Sequence, residues 1–107
     1  MSDERRKNPR FQVEVPVRLT VAGAAFPGHL KDVCRDAVLV ETHRTLPIDS
    51  RVAVAMALPG TGGPLEVEGR VIRVTPGDGD SQRVAILFTA VTPAAETRID
   101  SFIGQHE

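Results

Sequence analysis

A chain of 107 residues with 25% charged, 41% hydrophobic and 4% aromatic side chains has the size and composition of one ordinary globular domain and is too short for two cores. Its 13 lysines and arginines against 14 acids leave a formal charge of -1, with no overall basic excess to argue for duplex DNA, RNA or an anionic membrane. The longest apolar runs fall well short of a membrane span and the first ten residues lack the apolar middle of a signal peptide, so the expected compartment is the cytoplasm. A lone Cys34 excludes an internal disulfide, and His29, His43 and His106 fall at no metal-ligand spacing.

Charge is asymmetric at the front, where Arg5, Arg6, Lys7 and Arg10 put four cations into six residues that contain no acid. Pro9 stops that stretch from continuing as a helix, so residues 1–10 read as a flexible basic arm ahead of one domain spanning 11–107. From Phe11 the apolar residues Val13, Val15, Val17, Leu19 and Val21 alternate with other types, the period of a strand with one buried face. Pro16 falls on the outward set and points to an edge or a bulge, because proline donates nothing to a ladder. A turn containing Gly23 leads to a second strand over 26–33. The polar corner Asp32-Val33-Cys34-Arg35-Asp36 then precedes an apolar run from Ala37 to Val40.

Val52, Val54, Met56 and Leu58 alternate again before Gly60-Thr61-Gly62-Gly63-Pro64 breaks the chain. That break is no phosphate loop, since no Gly-Lys-Ser/Thr follows. Leu65, Val67 and Val71 mark a fifth strand whose phase slips after Gly69, where Ile72 and Val74 are also apolar, and a bulge explains the slip. Gly77-Asp78-Gly79-Asp80 is a turn that lacks the spaced acids of a calcium loop; Val84, Ile86 and Phe88 form the last strand. Thr92 as N-cap, Pro93 at the first helical position and a stripe of Ala95, Ile99, Phe102 and Ile103 predict one helix ending near Gly104. Six short strands and a closing helix describe an all-β barrel or sandwich.

Arg6-Lys7-Asn8-Pro9-Arg10 is an RxxxR run directly before the first strand, and Asp32-Val33-Cys34-Arg35-Asp36-Ala37 stands where a DxSxxG turn would be. In these positions the two motifs resemble those of the PilZ domain family, bacterial receptors for the second messenger cyclic di-GMP, and the likeness runs from the arm through the strand order to the helix. The resemblance implies a six-stranded antiparallel PilZ-type β-barrel with a C-terminal α-helix. It further implies a ligand held by Arg6 and Arg10 with help from Arg5, and by Asp32, Cys34 and Ala37 on the barrel surface. Also implied are a relay to a protein effector in motility, polysaccharide or adhesion control, and no catalytic residue, metal or cofactor.

Arginine suits such a ligand because its guanidinium bonds a phosphate or the O6/N7 edge of guanine through paired hydrogen bonds and stacks on the base. Two positions depart from the pattern. Cys34 replaces the serine, and a thiol is the weaker hydrogen-bonding group; losing a neutral hydrogen bond costs about 0.5–1.5 kcal/mol. Ala37 replaces the glycine, and a Cβ there costs roughly 1–2 kcal/mol if the backbone has positive φ. The residues therefore leave two readings open: a cyclic di-GMP receptor, or a degenerate module of the same fold that has lost the nucleotide and docks a protein. Contact of the arm with RNA phosphates is a weaker third. No nucleophile-base pair or metal set supports an enzyme, and a chain with no Trp, no Tyr and four Phe lacks the stacking platforms of a single-strand nucleic-acid binder.

Overall fold

The computed structural model describes residues 11–61 and 63–106. The elements are β1 (Phe11–Val21), β2 (Ala24–Val33), β3 (Ala37–Thr42), β4 (Arg51–Met56), β5 (Leu65–Pro76), β6 (Gln82–Ala90) and α1 (Pro93–His106). The strands close into an antiparallel barrel in the order β1-β2-β3-β6-β5-β4, which settles barrel against sandwich.

The alternation read from the sequence is the alternation of burial. Val17 and Leu19 of β1, Val52, Val54 and Met56 of β4 and Val84 and Ile86 of β6 are buried, with polar residues or alanines between them. The helix adds Ala95, Ile99, Phe102 and Ile103 to the same core. Its start is fixed as expected: the Thr92 hydroxyl accepts the Ala95 amide at 3.1 Å, satisfying one of the orphan donors of the first turn. Arg98 and Gln105 donate to the carbonyls of Pro64 and Gly60, which ties the helix to the glycine-rich connection between β4 and β5. No described helix is long and apolar enough to cross a membrane.

Bulges set which residues face outward. On β5 the register slips between Glu68 and Gly69 and again between Val71 and Arg73, the place where the hydrophobic phase breaks in the sequence. On β2 the pairing with β3 skips Lys31, so Leu30 and Val33 both stay buried and Lys31 and Asp32 stand consecutively on the outer face. Pro16 pairs with His29 of β2, while the β1–β4 ladder holds only Arg18, Leu19 and Thr20. Its missing donor therefore faces an open edge, as its position in the sequence suggests. Gly69 answers to close approach: a Cβ there would lie 2.5 Å from both Ile86 Cγ2 and the Leu87 carbonyl oxygen.

Candidate ligand site

Of the six residues expected to hold a ligand, Arg5, Arg6 and Arg10 lie outside the described residues. The other three, Asp32, Cys34 and Ala37, come together at the β2–β3 connection. This turn is held from several sides. The Cys34 amide donates to the Ala37 carbonyl at 2.9 Å and the Phe88 amide of β6 to the Asp36 carbonyl at 2.8 Å. Arg35 reaches Asp100 of the helix at 3.4 Å. A turn fixed in this way presents Asp32 on a prepared surface.

The structure shows what each of the two departures from the DxSxxG pattern does. Ala37 does not have positive φ; among the described residues only Ala22 and Asp49 do so without being glycine. The strain that a Cβ would cause in a left-handed backbone therefore does not arise at position 37. Cys34 is buried, and its Sγ lies 3.2 Å from Asp36 Oδ1 and 3.5 Å from the Ala37 carbonyl oxygen. The thiol thus braces the turn from within. Burial also raises its pKa, so it stays protonated and unreactive at neutral pH.

The strand register sets the first described residues beside this turn. Phe11 pairs with Val33 and Gln12 with Asp32. Arg10 is one peptide bond from Phe11, and Arg6 is within about 18 Å of it even along a fully extended chain. An apolar strip continues the surface away from the turn: Ala37 pairs with Leu87 and Leu39 with Ala85 across β3 and β6, all four half-buried.

Beside Asp32, Lys31 opens a cleft of about 420 Å³ lined by residues of β1, β2, β3 and the β5–β6 turn. Among its lining residues is Glu41, which no motif in the sequence singles out. One carboxylate oxygen accepts the Ser81 hydroxyl and, at 3.0 Å, the Asp78 amide; the other lies 3.6 Å from Lys31 Nζ and 3.8 Å from Arg83 Nε. These donors, the Ser81 hydroxyl first, hold the Glu41 pKa down to about 2. Lys31 also bonds Glu14 at 2.7 Å, which lowers the carboxyl and raises the ammonium. Both partners are therefore charged, and the lysine is committed to acids of its own chain. Among the described residues no group of histidine, cysteine or acidic side chains is placed to hold a metal ion.

Comparison with known proteins bears on these features together. No curated protein matches the sequence. The Bacillus subtilis inhibitor of motility MotI/DgrA matches in structure with a TM-score of 0.79 at 11% identity, over 95% of this chain and 51% of that one, so the chain spans about half of that protein's length. The PilZ domain of YcgR from Escherichia coli, solved with c-di-GMP, gives a TM-score of 0.74 at 17% identity, over 94% of this chain and 90% of that one. The PilZ domain of CeSA from a cellulose-synthesizing bacterium gives 0.66 at 21% identity, over 92% and 99%. At such identities the likeness is one of fold. A family model matches the sequence itself over residues 4–105, taking in the arginine run, the braced β2–β3 turn and the closing helix; the chain belongs to the PilZ domain family.

Proposed function

We propose that this protein is a regulatory receptor for cyclic di-GMP, with Arg6 and Arg10 clamping the dinucleotide, Arg5 assisting, and Asp32 and the turn through Ala37 forming the surface beneath it. The observation that carries this reading is the pairing of Phe11 with Val33: it sets the residue that follows Arg10 in the chain opposite the end of β2. Asp32 supplies an acceptor for a guanine edge, and the half-buried strip of Ala37, Leu39, Ala85 and Leu87 offers an apolar surface to a base. The structures of YcgR and of MrkH from K. pneumonia in complex with c-di-GMP support the ligand class. Folding the arm over a ligand changes the surface offered to a protein effector and is offset by the arginine contacts. Inhibition of motility in one structural relative and a link to cellulose synthesis in another favour an effector in motility or surface polysaccharide control.

Titration calorimetry with cyclic di-GMP tests this. The expected result is saturable binding that Arg6→Ala combined with Arg10→Ala abolishes. No heat at tens of micromolar protein, or unchanged binding by the double variant, defeats the proposal and leaves the nucleotide-free interaction module in its place.

A further inference from the structure

Two large hydrophobic side chains are exposed among the described residues, Ile48 at 53% and Ile72 at 44%, and both occur at one place. Apolar residues scattered singly over a surface need no explanation, whereas a shared location does. Pro47–Ser50 is a tight turn, closed by the Ser50 amide on the Pro47 carbonyl at 3.2 Å, and Asp49 takes the positive φ of 75° that such a turn demands at its third position. Two backbone bonds dock this turn onto β5: Asp49 N–H to the Val71 carbonyl at 2.8 Å, and Val71 N–H to the Ser50 carbonyl at 3.0 Å. Ile48 precedes the first donor and Ile72 follows its acceptor, so the docking holds the two isoleucines near one another.

The bulge on β5 completes the patch. Val71 is buried and Val74 packs against the core, which leaves Ile72 and Arg73 both facing out, side by side. Arg70 lies directly opposite Arg51 across β4 and β5. Like charges in opposed positions weaken a sheet, and the carboxylate paired with them is that of Asp49, 3.6 Å from Arg70 Nε. Three guanidiniums thus stand around two exposed isoleucines against the Asp49 carboxylate and, on the side of the cleft that Arg51 and Arg70 share with it, the Glu68 carboxylate, so positive charge stays in excess and Arg73 adds to it away from Glu68.

We infer that the Ile48–Ile72 patch, with Arg51, Arg70 and Arg73 around it, docks an acidic segment of a protein partner that carries an apolar anchor residue. The anchor covers the isoleucines, and flanking Asp or Glu side chains meet the arginines through charge-assisted bonds. The site does not depend on nucleotide binding, yet it is close to the proposed ligand surface: Ala37, Leu87 and Arg70 lie in one row across β3, β6 and β5, about 10 Å from end to end at the usual strand spacing.

Panning a random peptide library on the immobilised protein tests the inference. Enrichment of peptides with Ile, Leu or Phe between acidic residues is expected, with amide shifts on binding confined to residues 47–51 and 70–74. Ile48→Thr with Ile72→Thr, and separately Arg73→Glu, should each weaken such a peptide by roughly tenfold or more and leave cyclic di-GMP titrations unchanged. Arg73→Glu alters an exposed side chain and keeps the test intact if the double isoleucine variant does not fold. No enrichment, enrichment of peptides without acids, shifts elsewhere, or undiminished affinity for the variants overturns the inference. So does loss of cyclic di-GMP binding in a folded Arg73→Glu protein, which would assign the arginine to the nucleotide site; absence of nucleotide binding by the unsubstituted protein bears only on the proposed receptor function.

Discussion

Replacing Cys34 by Ser and Ala37 by Gly restores the residue types of the DxSxxG pattern, and the structure limits what this achieves. Ala37 lacks positive φ, so removing its Cβ relieves no left-handed strain. Glycine in an extended segment instead costs about 0.5–1 kcal/mol relative to alanine. At position 34 a hydroxyl would take over the contacts that Sγ makes with Asp36 Oδ1 and the Ala37 carbonyl at 3.2 and 3.5 Å, a gain of about 0.5–1.5 kcal/mol spent on the turn. The two effects nearly cancel in stability. For the ligand, the turn is already set by the Cys34–Ala37 and Phe88–Asp36 backbone bonds, leaving little for the substitutions to organise. Side-by-side calorimetry of the double variant and the natural protein should therefore show cyclic di-GMP affinities within about tenfold, or roughly 1.4 kcal/mol, with closely similar melting temperatures. A gain of a hundredfold, or binding that appears in the variant alone, would refute the reasoning and show that the thiol and the methyl group block the site.

Three further outcomes follow from the packing and charges. Glu41 has its pKa held at about 2, below the ordinary 4.5, chiefly by the Ser81 hydroxyl; a folded-state pKa below the unfolded one gives stability present above pH 4.5 and lost as pH falls toward 2. Glu41→Gln should accordingly cost about 1.5–3 kcal/mol near neutrality and flatten acid sensitivity in that window, measured by denaturant melts at pH 6 and pH 3; an unchanged pH profile contradicts this. Gly69→Ala should destabilise by about 1–3 kcal/mol, because the new methyl meets Ile86 Cγ2 and the Leu87 carbonyl at 2.5 Å, and an unaltered thermal midpoint would contradict it. Ala22 has φ of 53° beside Gly23 at 84°, so Ala22→Asn should stabilise the β1–β2 hairpin by about 1 kcal/mol and raise the midpoint by about 4–8 °C; a fall would show that the alanine is not strained.

The strands were legible in the sequence because they are one-sided: Val52, Val54 and Met56 of β4, or Val84 and Ile86 of β6, announce period two without help from other segments, whereas their closure into a barrel rather than a sandwich is not encoded in that alternation. The helix was legible from Thr92, Pro93 and an apolar stripe, all local signals. Even the β5 bulge showed as a slip of phase after Gly69. The Glu41 cluster did not show, since Ser81 and Asp78 are some forty residues away in the chain and meet it only because β3 neighbours β6 in the closed order. A long-range pairing of that kind leaves no trace in either segment alone. The conformation of Ala37 was equally hidden, because no local signal tells whether the glycine position of the pattern keeps a positive φ when alanine occupies it, and the structure gives it none. The Ile48–Ile72 patch depends on two backbone bonds between a turn and a strand, which composition does not encode.

The central claim is that arginines of the arm and the β2–β3 turn hold one cyclic di-GMP surface between them. Its most direct test is a titration of the nitrogen-15-labelled protein with the nucleotide, following every backbone amide. Saturable shifts at residues 5–10 and 32–37 are expected, with both sets vanishing together in the Arg6→Ala, Arg10→Ala protein. Shifts that leave 32–37 unmoved, or that persist there without the two arginines, would contradict it.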